Sequence, residues 1–170
     1  GCYGSMFRDC TSLTTAPQLP ATTLDDDCYR YMFKGCTSLT SAPELPATTL
    51  VDECYYSMFY GTNILPDCSN IDFTNEAVVA SGGLNGLFAG TKVTDDDLYN
   101  ILPINMETGN YYLPATTLAG YCYQYMFQDC TSLTTAPELP ATTLVDYCYQ
   151  YMFQECTSLT TAPELPATVL

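Results

Sequence analysis

Histidine and tryptophan are absent from the sequence, and only four residues carry a positive charge. Histidine is the most frequent acid–base catalyst of proteins and their commonest metal ligand, so its absence argues against an enzyme and against a zinc site. The four cations stand against 19 Asp and Glu residues, and a net charge of −15 repels the phosphates of nucleic acids and of anionic membranes. We therefore expect no enzyme, no cofactor and no nucleic-acid partner.

Long apolar runs are missing as well. No stretch approaches the roughly 20 apolar residues that cross a bilayer, and the first residues do not combine a basic segment with an apolar one. We therefore expect no membrane insertion of this segment, in which we recognise no signal peptide or anchor.

What the sequence has in abundance is repetition. A Cys-Tyr pair recurs at residues 2, 28, 54, 122 and 148, and a Met-Phe pair begins four residues after the start of each, which gives a repeat of 26 residues. A fixed period of roughly 20 to 50 residues is typical of stacked units that bury their apolar faces against one another. The period therefore predicts one continuous solenoid.

The chain divides into three parts. Residues 1–60 contain repeat units one to three, the first truncated at its start, and residues 61–114 contain a divergent unit plus an insertion. Residues 115–170 contain further units, of which the last is cut off. Neither end shows the polar cap that closes a free-standing array, so we interpret the chain as an excerpt with further repeats at both ends.

Within a unit the pattern predicts one helix and one short strand. A threonine three residues before an acid resembles a capping box near Leu24, and Cys28 and Met32 follow at a spacing of four. Residues 39–42 are predicted as a very short strand, and the proline-rich residues 43–47 as an extended return. The fold class expected is an α/β repeat.

The divergent part predicts two further helices. Residues 75–88 read as a helix interrupted at 81–83, and residues 95–102 as a shorter helix with acids in its first turn. Residues 105–111 are predicted as a loop. The path of this part relative to the regular units stays open.

The cysteines pose a choice between disulfides and thiols. Eight of the ten form pairs eight residues apart, at 2/10, 28/36, 122/130 and 148/156. On a helix eight residues rise about 12 Å, beyond the roughly 4.4–6.8 Å between the Cα atoms of a disulfide. Bridges within a unit are then excluded, whereas bridges between adjacent units and buried thiols both remain open.

The repeated phrase CYxxMFxxCTSLTxAPxLPATTL resembles the bacterial surface-protein leucine-rich repeats of the BspA-like and 26-residue lipoprotein-associated kinds, abundant in gut Bacteroidetes. The resemblance covers residues 1–60 and 115–170 closely and the middle loosely. It implies a right-handed solenoid with short parallel strands on one face and short helices on the other. It also implies a secreted or cell-surface protein of the adhesin or ligand-binding type.

The tyrosines are the most suggestive surface feature. One set directly follows the first cysteine of each unit, and a second set stands two residues later, at Tyr31, Tyr125 and Tyr151. On a helix the two sets lie about 200° apart, so that one is core and the other exposed. An exposed row of rings can stack on sugars or anchor a protein; alternatively the rings fill the seam between adjacent helices.

Two polar features are also candidates for binding. The predicted strand side carries a row of hydroxyls and carboxylates, formed by Thr40, Thr134, Thr160, Glu44, Glu138 and Glu164. Such a row would present an acidic groove, although uniform threonine also suits a solvent-exposed ladder. The acidic triplets at 25–27 and 95–97 could bind calcium or mark helix starts that the helix dipole favours.

These features favour a non-enzymatic recognition or adhesion module that presents one face of the array to a protein or glycan on a host or neighbouring cell. The alternative is a structural stalk or fibre segment, on a bacterial surface or a phage tail, that positions another domain. Variation between units at outward positions favours the first function, and the near-identity of the units favours the second.

Overall fold

The computed structural model describes residues 2–75, 78 and 82–169. The helices whose bounds lie in these ranges are a 3₁₀ helix, Gly82–Leu84, and one α-helix, α1, Asp95–Ile101. Only 7% of the chain is helical and 5% is strand, and the described strand residues form isolated bridges without a sheet. The prediction of a leucine-rich-repeat solenoid with parallel strands on one face and helices on the other is therefore wrong.

A ribbon of consecutive turns takes the place of the predicted helix. The N–H of Met32 donates to the carbonyl of Tyr29, three residues back (3.1 Å). The next N–H, that of Phe33, donates instead to the carbonyl of Met58 in the following repeat (3.0 Å). Every second N–H thus leaves the segment, which an α-helix with all its bonds four residues back does not permit.

Left-handed residues make this alternation possible. Asp27, Tyr31 and Gly35 have φ angles of 59°, 55° and 74°. A residue other than glycine in such a conformation costs on the order of 1–3 kcal/mol. Because the bonds that offset this cost come from the next repeat, the ribbon depends on stacking for its conformation.

In the described ranges six such turn segments follow one another, and we number them 1 to 6 in chain order: residues 2–10, 27–36, 53–62, 82–91, 121–130 and 147–156. Segment 4 belongs to the divergent region. Its Gly90 accepts a hydrogen bond from the N–H of Gly61 in segment 3 (3.0 Å) and donates to Gln128 in segment 5 (2.7 Å). Segment 4 therefore lies in the stack between segments 3 and 5.

Aromatic side chains form the centre of the stack. Rings at equivalent positions lie nearly parallel, with centroids 5.5 to 6.0 Å apart, in the series Tyr3–Tyr29–Tyr55, Phe7–Phe33–Phe59, Phe88–Phe127–Phe153 and Tyr123–Tyr149. Phe33, Phe59 and Phe88 are completely buried. Each repeat therefore completes its core with the rings of its neighbours.

The cysteines are thiols, and no disulfide joins any of the described residues. The second cysteine of a repeat packs on the preceding repeat, and its Sγ donates to a phenylalanine carbonyl. The distances are 3.1 Å from Cys36 to Phe7 and 2.9 Å from Cys156 to Phe127. These thiols pack and bond as small buried groups, which is one of the two alternatives left open by the sequence.

Local predictions outside the repeats fare better. The helix predicted at 95–102 is confirmed as α1, which Thr94 caps through a reciprocal pair of bonds with Asp97. The loop predicted at 105–111 is confirmed for residues 105–110 and is closed by a bond from the N–H of Asn105 to the carbonyl of Asn110 (2.8 Å), whereas Tyr111 forms an isolated antiparallel bridge with Ile104.

Two other local predictions differ from the structure. The helix predicted at 75–88 falls partly outside the described residues, and its C-terminal part is the 3₁₀ helix followed by turns. The strand predicted at 39–42 is wrong; a single backbone bond from Thr40 to Thr14 (3.2 Å) links the repeats there. Among the described residues, no helix has both the length and the apolar character needed to cross a membrane.

Candidate functional site

Four tyrosines form a continuous row along the stack. The ring of Tyr31 contacts that of Tyr56 edge-on, with centroids 5.2 Å apart, and Tyr56 contacts Tyr125 in the same way at 5.8 Å. Tyr125 then stacks on Tyr151 at 5.1 Å with an interplanar angle of 14°. We call Tyr31, Tyr56, Tyr125 and Tyr151 the tyrosine row.

Segment 4 contributes no ring to the row because its residue at the row position is a glycine, Gly86. Tyr56 lies in segment 3 and its partner Tyr125 in segment 5, with Gly86 of segment 4 beneath them. A Cβ placed on Gly86 would lie 3.4 Å from the ring of Tyr56 and 2.9 Å from Oγ of Ser57. The absence of a side chain at Gly86 thus lets the two rings meet across the segment.

Sequence reasoning placed three of the four tyrosines in one surface row but missed Tyr56. Counting by 26 puts Ser57 at the row position, so the period itself hid the neighbouring ring. The structural reason given for the row is also incorrect, since the two sets of tyrosines lie on a turn ribbon and not on a helix. The separation into a buried set and a more exposed set holds only inside the stack, where Tyr29, Tyr55 and Tyr123 are buried and Tyr31 and Tyr125 are partly buried. Tyr3 of the first set and Tyr151 of the second are equally exposed, at 49%.

Positive charge collects at one end of the tyrosine row. Three of the four cationic residues of the chain lie near the ring of Tyr31, at 5.8 Å for Arg8, 5.1 Å for Arg30 and 5.0 Å for Lys34. The ammonium of Lys34 also lies 4.4 Å from the ring centroid of Tyr60. Cations at these distances are attracted to the electron-rich faces of aromatic rings.

Acidic side chains hold the central cation in place. Arg30 pairs with Asp27 (3.0 Å) and with Glu53. The hydrogen bond from Arg30 lowers the pKa of Asp27 below its usual range. Burial raises the pKa of Glu53 by more than the charge of Arg30 lowers it. Arg30 is thus fixed against the rings of Tyr31 and Tyr56, and Lys34 is the less committed cation of the cluster.

A second tyrosine crosses segment 4 beside the row. The hydroxyl of Tyr60 in segment 3 donates to Oδ2 of Asp129 in segment 5, at 2.7 Å. A Cβ on Gly90 would approach the Tyr60 ring to 2.8 Å, so glycine is needed here too. The bond to Asp129, together with burial, raises the pKa of Tyr60 to about 12.

The row of hydroxyls and carboxylates formed by Thr40, Thr134, Thr160, Glu44, Glu138 and Glu164, which we call the threonine–glutamate row, is largely engaged in hydrogen bonds within the protein. Thr40 Oγ1 donates to the Thr14 carbonyl (3.0 Å), and Thr160 Oγ1 donates to that of Thr134 (3.3 Å). Thr134 Oγ1 in turn donates to Asp95 (2.5 Å). These hydroxyls join adjacent repeats, which is the role of a ladder.

The carboxylates of the same row differ in their surroundings. Glu138 accepts bonds from Asn105 (2.7 Å), Thr108 (2.5 Å) and Asn110 (3.3 Å), and the bond from Thr108 is the first cause of its lowered pKa. Glu44 accepts one bond, from Asn70 (2.8 Å). Glu164 is exposed. A groove of about 470 Å³ separates Glu138 from Glu164, with Pro137 and Pro163 among its walls.

The acidic triplets do not converge on a metal site. Asp95 accepts bonds from the N–H groups of Thr134 (2.9 Å) and Thr135 (3.2 Å), and Asp97 caps α1. In the described part of the chain, no three acidic or sulfur side chains are grouped as a metal site would require. The bonds to Asp95 and Asp97 give those carboxylates structural roles.

The tyrosine row is therefore the surface with the strongest chemistry for binding. Its rings offer apolar faces and hydroxyl groups, and its cationic end offers charge that a carboxylate, a sulfate or a sugar hydroxyl can meet. Tyr56 is buried, Tyr31 and Tyr125 are partly buried, and Tyr151 is 49% exposed, so the accessible part of the row is formed by Tyr31, Tyr125 and Tyr151, while Tyr56 holds Tyr31 and Tyr125 in place from below.

No family model matches the sequence, and neither a curated protein nor a solved structure matches the chain.

Proposed function

We propose that this chain is a non-enzymatic recognition module of a cell surface, and that the tyrosine row is its contact surface for a protein or glycan partner. The observation that carries the proposal is the continuity of the row: rings from segments 2, 3, 5 and 6 touch one another in sequence. Tyrosine is enriched in recognition surfaces because a large ring contributes contact area while only two torsions need to be fixed.

Pre-organisation of the rings supports this choice. Tyr31 is held by Arg30 and Lys34, and Tyr125 is held between Tyr56 and Tyr151. Rings fixed before binding lose little conformational entropy when a partner arrives. The threonine–glutamate row is the weaker choice because many of its polar groups already bond to the protein itself.

The extracellular or cell-surface location rests on the sequence resemblance to bacterial surface-protein repeats. In that setting the partners would be proteins or glycans of a host or neighbouring cell. A protein of strongly negative charge also avoids nonspecific adhesion to other anionic surfaces, which suits a selective module.

The test is a glycan array and a pull-down from surface-protein extracts with the parent chain, Tyr151→Ala, Tyr125→Ala and Tyr99→Ala. Tyr99 is 43% exposed and stands outside the row, so it controls for the loss of any surface ring. We expect saturable binding that the row variants weaken about 30-fold, the usual effect of truncating an aromatic anchor worth about 2 kcal/mol, and that Tyr99→Ala leaves unchanged.

Binding that survives the combined Tyr125→Ala and Tyr151→Ala change would overturn the assignment of the row. Absence of saturable binding to every glycan and extract would overturn the recognition function itself.

The second candidate function is a structural stalk or fibre segment. The hydrogen-bond ladder favours it, because each turn segment is tied to the next through several backbone bonds, such as Tyr29 to Cys54 (2.9 Å) and Phe127 to Met152 (3.0 Å). A stalk predicts high resistance to unfolding along the stack without any ligand. Force spectroscopy on the chain between two reference domains distinguishes the functions: unfolding at low force removes the stalk candidate.

A further inference from the structure

The surface that carries the tyrosine row differs between the two ends of the row. The first residue of segment 2 is Asp27 and that of segment 3 is Glu53, and Arg30 pairs with both carboxylates. The first residues of segments 5 and 6 are instead Tyr121 and Tyr147. The same position is therefore charged at one end of the row and aromatic at the other.

Tyr121 lies on the same side of the stack as Tyr125. In segment 2, Arg30 contacts both the carboxylate of Asp27 (3.0 Å) and the ring of Tyr31 (5.1 Å from its centroid), so the first and fifth residues of a segment share one side. Tyr121 and Tyr125 are the first and fifth residues of segment 5. Their left-handed φ angles, 63° and 57°, match the 59° and 55° of Asp27 and Tyr31. The two rings therefore belong to one surface.

Two pairs of stacked rings form this surface across segments 5 and 6. The ring of Tyr121 stacks on that of Tyr147 with centroids 4.9 Å apart and an interplanar angle of 15°. Tyr125 stacks on Tyr151 at 5.1 Å. In the described part of the chain, no residue forms a hydrogen bond with any of these four hydroxyls. The pairs therefore offer a ligand their ring edges and their hydroxyl groups.

Two pairs of glutamines accompany the rings. Nε2 of Gln124 donates to Oε1 of Gln150 (2.5 Å), and Nε2 of Gln128 donates to Oε1 of Gln154 (2.9 Å). The first glutamine of each pair stands at the position of a cation that lies beside the ring of Tyr31 in segment 2. An amide has two N–H donors and an oxygen with two lone pairs, so each bonded pair retains donors and acceptors. We call these four tyrosines and four glutamines the tyrosine–glutamine patch.

The patch lies on the side of the array. Segment 5 has segment 4 on one side and segment 6 on the other, and backbone bonds join it to both, from Gly90 to Gln128 (2.7 Å) and from Phe127 to Met152 (3.0 Å). Tyr121 of this enclosed segment is nevertheless 45% exposed. Its accessibility is therefore a property of the side of the stack and not of an uncovered end.

The charges around the patch disfavour an anionic ligand. None of the four cationic residues lies in segments 5 and 6, and three carboxylates stand next to residues of the patch in the sequence, at Asp129, Asp146 and Glu155. The net charge of −15 adds to the repulsion of anions. Phenol hydroxyls and primary amides, in contrast, both donate and accept hydrogen bonds, as sugar hydroxyls do. The patch therefore matches an uncharged ligand rich in hydroxyl groups.

The spacing of the patch favours a polysaccharide over an extended peptide. The tyrosine rings recur at 4.9 to 5.1 Å along the array. Side chains on one face of an extended peptide recur every two residues, about 6.6–6.8 Å, and do not keep in step with the rings. A polysaccharide repeats its hydroxyls with every sugar unit, and the length of a hexose unit is close to the ring spacing.

We propose that the tyrosine–glutamine patch binds a neutral polysaccharide that lies along segments 5 and 6. Sugar hydroxyls bond to the phenol and amide groups, and sugar C–H groups pack against the rings. The inference rests on the proposed function, because Tyr125 and Tyr151 belong to the tyrosine row, and it narrows the partner to a glycan without charge.

Affinity electrophoresis in native gels is the test. The gels contain a neutral polysaccharide (galactomannan, xyloglucan or mixed-linkage β-glucan) or an anionic one (polygalacturonate or chondroitin sulfate). For the parent chain we expect concentration-dependent retardation in at least one neutral gel and none in the anionic gels. Tyr99→Ala is the control, because Tyr99 is 43% exposed outside the patch, and it should be retarded as the parent is.

Variants of Tyr121 identify the contact, since this residue belongs to the patch but not to the tyrosine row. Tyr121→Ala should raise the dissociation constant about 30-fold, the usual effect of truncating an aromatic anchor. Tyr121→Phe keeps the ring and should raise it about fivefold, as should Gln154→Ala, because each removes about one hydrogen bond. A melting curve of each variant checks that the fold is retained.

The outcomes separate this proposal from the recognition function. Retardation by an anionic polysaccharide and by no neutral one, or neutral binding that Tyr121→Ala and Tyr121→Phe leave unchanged, would overturn the patch as a neutral-glycan site and leave the recognition function standing. The same holds if no polysaccharide retards the chain while an extract protein binds the parent and not Tyr125→Ala. Absence of binding in both experiments would overturn the two proposals together.

Discussion

Turn segments 2 and 4 reach the same stacked arrangement with different side chains. Segment 2 places Tyr31 at a left-handed position, whereas segment 4 places Gly86 there, with φ of 55° and 59° respectively. Both segments exchange backbone bonds with their neighbours, and both contribute a buried phenylalanine, Phe33 or Phe88. The difference teaches that the backbone ladder and the central ring specify the stack, while the outward side chain is open to change.

The change in side chain has a consequence for the neighbours. Because Gly86 and Gly90 have no side chains, Tyr56 and Tyr60 of segment 3 extend over segment 4 and contact segment 5. In the regular part of the stack each tyrosine of the row contacts the adjacent repeat. The tyrosine row is thus continuous across segment 4 because that segment has glycines where side chains would block the row.

The largest effect on stability should come from removing the buried phenylalanine ring of segment 2 or of segment 4. We expect Phe33→Ala and Phe88→Ala to lower the free energy of unfolding by about 3–5 kcal/mol each, because both rings are fully buried and leave a cavity. Phe7→Ala, at a partly covered equivalent, should cost clearly less. Urea unfolding followed by tyrosine fluorescence gives these values. A cost below about 1 kcal/mol for Phe88→Ala, far under the usual price of a buried ring, would show that segment 4 is only loosely stacked.

The next largest effect on stability should come from adding a side chain at a glycine of segment 4. Gly86→Ala should cost about 2–3 kcal/mol, because the new Cβ would approach Ser57 Oγ to 2.9 Å and because alanine is strained at a φ of 59°. Gly109→Ala is the control: its φ is 77°, but nothing lies within 4 Å of the added carbon, so only the backbone cost of about 1 kcal/mol applies. Equal costs for the two variants would remove the crowding explanation.

Asp95 joins the divergent region to the regular repeats by accepting hydrogen bonds from Thr134 and Thr135. The stability that these bonds contribute should depend on pH. Burial alone raises the pKa of Asp95, but the bonds from Thr134 and Thr135 outweigh it and leave the pKa below the usual value. A carboxyl whose folded pKa is depressed stabilises the fold above its unfolded pKa of about 4, and this stability is lost as the pH falls through the folded pKa.

We expect Asp95→Asn to cost about 1 kcal/mol at pH 7 and to lose most of this difference from the parent near pH 2, since hydrogen bonds to a charged acceptor contribute about 1.5–3 kcal/mol when buried and less where solvent screens them, as at Asp95. Asp96→Asn is the matched control, on the same helix turn but exposed. Thermal unfolding from pH 7 to pH 2 supplies the measurement. A difference between Asp95→Asn and the parent that is the same at both pH values would contradict the role of the charge.

Much of the burial pattern could be predicted from the sequence, but the backbone could not. Leu24, Cys28 and Met32 are buried, as their spacing of four indicates, yet a turn ribbon with a left-handed residue every four positions buries the same residues as an amphipathic helix. Helix α1 was predictable because Thr94 and Asp97 form a local cap that needs no neighbour. The ribbon, in contrast, is stabilised by bonds to the next repeat, and no local signal in the sequence reports those.

The same reasoning explains what was missed in the candidate site. Periodicity identifies Tyr31, Tyr125 and Tyr151 because they recur at equivalent positions. Tyr56 joins the row only because Gly86 lies between segments 3 and 5, which is a property of three segments together. Two features together give the sequence signal for such a crossing: a tyrosine one residue before the row position of one segment, and a glycine at the row position of the next segment.

The smallest effect probes the second crossing contact, from Tyr60 over Gly90 to Asp129. Tyr60→Phe should cost about 1 kcal/mol at pH 7, the usual contribution of one hydrogen bond. Because Gly90→Ala places a carbon 2.8 Å from the Tyr60 ring, the ring must move and the bond to Asp129 is lost already. In the Gly90→Ala background, Tyr60→Phe should therefore cost nearly nothing, and a double-mutant cycle by urea unfolding should give a coupling energy of about 1 kcal/mol. If the destabilisations of the two single variants simply add up in the double variant, Tyr60 can bond to Asp129 even when residue 90 carries a side chain. In that case only the left-handed backbone conformation would explain the glycines of segment 4.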